Sequence, residues 1–272
     1  MSREKSSDSL STALTFHASF DHGANADFGA GDRHIYSVST GSDSKTVVLT
    51  PGLGEPALTL AEGKGKYGAA LAFTRENTHT VSFKAGQNVA FSEEGFHGTI
   101  SFWLRGNPAE IPGDYCDPLQ LTDKDYSDAC IWVDLTKNDT PSDLRLGVFG
   151  NQKEWDLTDK RHENGAFYWR LVKVAEPPLS SDRWTHVAIT WDGINTAAGG
   201  RARLYLDAEY RGASNLIRER FTWDMANVRI SLGVGDYVGM IDDFALFNRA
   251  LSSEEIRTLN ALEYGVAELH NR

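Results

Sequence analysis

Arg183-Trp184-Thr185-His186-Val187-Ala188-Ile189-Thr190-Trp191-Asp192-Gly193 is the stretch from which the fold can be read. Across residues 184–191 apolar and polar side chains alternate, with Val187, Ile189 and Trp191 on one face. A period of two belongs to a strand whose faces meet different surroundings, and β-branched and aromatic residues suit a pleated surface. Other stretches repeat the pattern. Leu14, Phe16, Ala18 and Phe20 alternate with Thr15, His17, Ser19 and Asp21. Residues 99–105 put Ile100, Phe102 and Leu104 on one face and Ser101 and Trp103 on the other. Residues 129–135 and 144–149 flank the turn-like Lys137-Asn138-Asp139-Thr140-Pro141-Ser142 and predict a hairpin. Further strands are expected at 46–50, 203–207, 228–232 and 240–247.

The helical signal is confined to the end. Ser252 and Glu255 form the S-x-x-E capping box, Leu251 and Ile256 a hydrophobic staple, and Gly265 is placed to end a helix over 252–264. With no strand–helix alternation, the expectation is an all-β, two-sheet antiparallel sandwich with one short C-terminal helix. Residues 1–12, polar and serine-rich, are expected to be a disordered tail, and 13–272 a single domain. The tail has no apolar core of the kind a secretory signal needs, so location is left open.

The chain has 272 residues, 40% of them hydrophobic and 24% charged, with a formal net charge of −11. That acidity argues against nucleic acid and anionic membranes as partners. No apolar run approaches the roughly 18 residues of a membrane span. Cys116 and Cys130 are the only cysteines, and a bridge or two thiols fit the sequence equally.

The order of motifs resembles the laminin-G-like branch of the concanavalin A-like lectin/glucanase superfamily. The residues that carry the likeness are Gly65-Lys66-Tyr67-Gly68-Ala69-Ala70-Leu71-Ala72-Phe73, Gly98-Thr99-Ile100-Ser101-Phe102-Trp103-Leu104 and the opening stretch. They continue with Leu204-Tyr205-Leu206-Asp207, where Ala208 replaces the family's glycine, and Gly239-Met240-Ile241-Asp242-Asp243-Phe244-Ala245-Leu246-Phe247-Asn248-Arg249-Ala250-Leu251-Ser252. The resemblance implies a concanavalin A-like jelly roll. It also implies a structural calcium ion where the first and last strands meet, with Asp21, Asp242 and Asp243 as ligands. Calcium takes six to eight hard oxygens; turn capping is the alternative role for these aspartates.

No strand carries the paired glutamates by which glucanases of this fold hydrolyse glycosides; Glu110, Glu154 and Glu163 stand alone in expected loops. Asp114, Asp117, Asp123, Asp125 and Asp128 read as a solvated acidic loop, and Asp128 occupies the position where an EF-hand needs glycine. His186 reads as a structural histidine, His97 as a loop residue without a partner, and Asn138-Asp139-Thr140 as a turn, although it matches a glycosylation sequon. Trp103, Trp184 and Trp191 are expected in the core. Trp155, Tyr168, Trp169 and Trp223 lie in or beside long expected loops, and with Arg170 they are the candidate sugar-binding residues.

The expected function is a non-catalytic, carbohydrate-binding (lectin-like) module for a polysaccharide or glycan. One alternative is a polysaccharide-degrading hydrolase or lyase, which predicts a cleft with paired acids. The other is a protein-adhesion module, which predicts a flat surface.

Overall fold

A computed structural model describes residues 2–40, 47–74, 80–137, 143–158, 160 and 165–270. In chain order the strands are β1 (Leu14–Ala18), β2 (Phe28–Gly29), β3 (Ile35–Thr40), β4 (Val47–Pro51), β5 (Leu58–Ala61) and β6 (Ala70–Phe73). Next come β7 (Thr80–Lys84), β8 (Phe96–Arg105), β9 (Tyr115–Thr122), β10 (Cys130–Thr136), β11 (Asp143–Phe149) and β12 (Leu171–Ala175). The last are β13 (Thr185–Ile194), β14 (Arg201–Leu206), β15 (Glu209–Ala213), β16 (Arg229–Val234) and β17 (Gly239–Phe247). The helices are α1 (Ser2–Ala13), α2 (Gln152–Trp155), α3 (Gly165–Trp169) and α4 (Ser253–Asn260).

The strands form two antiparallel sheets. One runs β15-β14-β13-β8-β17-β1-β2, with β6 also on β17 and β5 on β6; the other runs β12-β11-β10-β9-β16-β7-β3-β4. Ile100, Phe102, Leu104, Val187 and Ile189 point inward from β8 and β13, as their alternation predicts, into one core with Leu119, Ile131 and Val133 of the facing sheet. Each such buried side chain contributes roughly 1.5–3 kcal/mol.

The Ser252 hydroxyl accepts from the Glu255 N–H, and the Glu255 carboxylate accepts from the Ser252 N–H, which completes the capping box of α4. Gly265 does not end that helix. It stands beyond it, at φ +69°, and opens a 3-10 turn, Gly265–Leu269. Ala208 and Asp207 make the two-residue turn between β14 and β15 at φ +61° and +51°. The turn forms without the family's glycine, at a cost of about 1–2 kcal/mol for a left-handed alanine.

Several expected loops hold structure. Residues 2–13 are α1 rather than a disordered tail. Leu10 is fully buried, Ser11 donates to the Leu269 carbonyl at 2.6 Å, and Arg249 reaches the Ser9 hydroxyl at 2.6 Å. Burial of Leu10 and Ala13 against α4 and Leu269 offsets the serines' weak helix propensity. The long segment 106–126 contains β9, a strand interior to its sheet, and 151–181 contains α2, α3 and β12. The expected sequon and most of its turn, 138–142, lie outside the described residues.

Candidate functional site

The two outer faces of the sandwich differ. On the nine-stranded sheet, Ala188, Tyr205 and Phe247 pack under Leu10 of α1, Ile256 of α4 and Val266. On the eight-stranded sheet a cleft of about 240 Å³ stays open over β9, β10 and β11.

The floor of that cleft follows from a bulge. Against β10, Leu119 pairs with Val133 and Cys116 with Leu135, so β9 spends one residue more than its partner. Pro118 lies within this irregularity, where a missing N–H is tolerated, and bulges re-aim neighbouring side chains. Asp117 enters the cleft, where the Gln120 amide donates to its Oδ2. Asp134 of β10 faces Arg145 of β11. Arg145 Nε donates to Asp134 Oδ1 at 2.8 Å, and its Nη2 donates to Oδ2. Burial, and secondly the Asp134 charge, push the Asp117 carboxyl well above the usual carboxylate range. The Arg145 pair is bidentate and nearly buried, so its geometry is fixed.

Aromatic groups flank this polar floor. Tyr115 is 65% exposed, and Tyr126 is half-buried. Trp132 lies flat on Gly147, where a Cβ would come within 2.1 Å of its ring. Its Nε1–H donates to the Tyr126 carbonyl at 2.7 Å, and its ring stacks at 5.9 Å on Phe149.

The candidate sugar-binding residues part company. Trp155, the last residue of α2, is buried and donates to the Ser127 carbonyl at 3.0 Å, pinning the long segment to the β9–β10 turn. Arg170 is buried too, paired with Glu219 and 5.0 Å over the Trp155 ring. Trp223 does lie in the loop between β15 and β16, but its side chain enters the main core against Phe91 and Phe96 and donates to the Ala129 carbonyl at 2.5 Å. Tyr168 and Trp169 are 50% and 55% exposed on α3, next to Phe167, whose ring lines the cleft.

Sequence reasoning missed the cleft residues themselves. Asp117 is buried in a strand, not part of a solvated loop. The inward residues Cys116, Leu119 and Leu121 are spaced three and then two apart, so a strict test for alternation fails there. Pro118 beside an apolar run was the available signal.

Asp21, Asp242 and Asp243 converge on the chain's ends, but as anchors for backbone. Asp21 Oδ1 accepts from the Ala69 N–H at 2.7 Å, and Asp242 Oδ2 accepts from the Tyr67 N–H at 2.9 Å. Asp242 Oδ1 accepts from the Asp243 N–H at 2.7 Å. Asp243, at φ +50° in a β17 bulge, bonds His17 Nε2 at 2.7 Å and accepts from the Val266 N–H at 3.1 Å. Burial pushes Asp242 up to about 8 despite the Tyr67 N–H. Among the described residues no three of His, Cys, Asp and Glu group as metal ligands do. Carboxylates committed to amide donors fit an anchoring role better than a calcium shell of six to eight oxygens.

His186 is buried, with Nε2 2.8 Å from the Ser101 hydroxyl, and burial lowers it to about 3, so it stays neutral. His97 is not alone: its Nδ1 lies 2.5 Å from Asp192. Cys116 and Cys130 are both buried and free; Cys116 lines the main core and Cys130 the aromatic cluster on the outer face.

A family model for laminin-G-type domains, described as "Concanavalin A-like lectin/glucanases superfamily", matches residues 75–257. A search of curated proteins finds no significant match. Among solved structures, the chain is similar to domain 4 of AbnA, an extracellular GH43 arabinanase from Geobacillus stearothermophilus, in complex with arabinotriose. The TM-score is 0.54 at 16% identity, over 90% of this chain and 97% of that one. An HCR/D mutant structure aligns with a TM-score of 0.53 at 11% identity, over 93% of this chain and 52% of that one. At these identities the likeness shows the fold, and function resides in sites placed upon it. The chain belongs to the concanavalin A-like lectin/glucanases superfamily.

Proposed function

We propose that the chain is a non-catalytic carbohydrate-binding module whose ligand seat is the cleft over β9, β10 and β11. One observation carries this reading: Tyr115 and Tyr126 flank a floor on which Asp117, Gln120, Asp134 and Arg145 present polar atoms. An aromatic face packs against the apolar face of a sugar ring. Carboxylate, amide and guanidinium groups pair with hydroxyls, and a few fixed polar groups in an apolar cleft confer orientation. Tyr168 and Trp169, beside Phe167, extend the aromatic surface at the edge of the site. A domain of the same fold holds arabinotriose, which makes a saccharide the first ligand to test. A cleft also distinguishes this reading from the flat surface of an adhesion module.

The hydrolase reading has one observation in its favour. Asp117, whose carboxyl burial holds well above the usual carboxylate range, and Asp134, paired with Arg145, occupy one cleft, and a pair of carboxyl groups in different surroundings is what glycoside hydrolysis uses. Against it, both Asp134 oxygens are engaged by Arg145, which hinders attack on an anomeric carbon or activation of water.

Titration calorimetry against neutral plant and microbial oligosaccharides, with a reducing-end assay in parallel, tests both readings. Binding without product release, weakened in Tyr115→Ala, is the expected result. Product release that disappears in Asp117→Asn would replace the binding module with an enzyme.

A further inference from the structure

We infer that the cleft accepts an uncharged sugar residue and turns away sugar acids, because its guanidinium is already committed to Asp134. This inference rests on the carbohydrate-binding reading of the same cleft.

Recognition of a uronic or sialic carboxylate calls for a cation with donors to spare, and arginine's two-pronged fork is the usual means. Arg145 is the cationic side chain among the described residues lining the cleft. Its fork is closed on Asp134: Nε and Nη2 each donate to a different oxygen of that carboxylate. Arg145 is fixed there, since the guanidinium and carboxylate side chains are only 12% and 5% exposed. The neighbouring cation on β12, Lys173, lies opposite Arg145 in the strand register and is held by Asp143 at 2.7 Å. Arg229, further along β16, donates to the Asn227 carbonyl at 3.1 Å.

The floor offers no net positive charge. Asp134 cancels Arg145, and Asp117 adds a second carboxyl that has Gln120 as its donor. A sugar acid would bring a charged carboxylate to a floor whose guanidinium is already paired, and desolvating a charge without a counter-charge is costly. A neutral sugar meets no such penalty, because its hydroxyls can both donate to the carboxyl oxygens and accept from Gln120. The size agrees: at about 240 Å³ the cleft is smaller than the roughly 300–1,000 Å³ of sites for drug-sized ligands. It is scaled to a ring rather than to a long chain segment.

The decisive comparison uses the full chain and a matched pair of probes that differ only at C6: a galacto-oligosaccharide and the galacturonate oligomer of equal length, with a gluco- and glucuronate pair as replicate. Calorimetry should show each neutral probe binding at least about tenfold more tightly than its acid counterpart. Equal or tighter binding of the acids would overturn the inference while leaving the carbohydrate-binding reading intact. Failure of neutral and acidic probes alike, extended to pentose and mannose oligomers, would overturn both. Asp134→Asn then reports on the cause. It opens the Arg145 fork, so affinity for the acid probe should rise relative to its neutral partner. An unchanged ratio in a folded Asp134→Asn would sink the assignment to Arg145. If that variant does not fold, the wild-type ratio still decides whether acids are excluded.

Discussion

The outer face of the nine-stranded sheet and that of the eight-stranded sheet are built from the same alternation, yet one is closed and the other open. The first is roofed by α1, α4 and the turn Gly265–Leu269, which bury an apolar layer of their own. The second carries only α2 and α3 at one end and leaves charged side chains along its floor. The difference teaches where the molecule spends its polar groups. Beneath the roof Asp242 and Asp243 anchor backbone amides. Over β9 to β11, Asp117, Asp134 and Arg145 line an open cleft.

The largest expected effect comes from breaking the open face at its ion pair. Asp134→Ala removes the carboxylate that holds Arg145 in two-pronged contact and should cost roughly 3–5 kcal/mol in chemical denaturation. A loss under 1 kcal/mol, on the order of a surface pair, would mean the floor is more hydrated than its burial indicates. Next comes the roof. Ile256→Ala, fully buried under α4, should lose roughly 2–5 kcal/mol while saccharide affinity is unchanged. Equal loss of binding would show that the two faces are coupled. Tyr115→Ala is the mirror case. With its ring in solvent, stability should move by no more than about 0.5 kcal/mol, while affinity falls by about 1 kcal/mol, or several-fold.

A smaller effect sharpens the electrostatic side of the comparison. The Asp117 carboxyl is held above its ordinary value, so the stability it contributes is full below about pH 4 and declines as pH rises through its folded value. The melting temperature of the wild type relative to Asp117→Asn should therefore fall between about pH 5 and pH 9. Asp242, raised to about 8, is present in both proteins and cancels from that difference. Glu255 and Asp32, lowered to about 2, lose their contributions only in stronger acid. A flat difference would place Asp117 in ordinary solvent contact. The smallest expected effect is none at all: excess chelator should leave the melting curve where it is, because Asp21, Asp242 and Asp243 face amides. A drop would support the calcium ion that the family resemblance implies, since a ligand of the native state stabilises it.

Local chemistry determined much of this protein from the sequence alone. The alternations at Ile100-Ser101-Phe102-Trp103-Leu104 and Val187-Ala188-Ile189 assign inward and outward faces because strand geometry repeats every two residues. The Ser252–Glu255 box marks the start of α4 because its hydrogen bonds span only one turn. Tertiary structure alone decided the rest. Asp117, Asp134 and Arg145 come from three strands: Asp134 and Arg145 face each other in the β10–β11 register, and the bulge at Pro118 in β9 sets Asp117 against them. Whether an aromatic in a long segment faces water is likewise a matter of what packs over it. Trp155 disappears beneath its own segment and Trp169 does not, although both lie in the same stretch. Periodicity is a property of one strand's backbone; a binding floor is a property of the register among strands, and residues far apart in the chain set it.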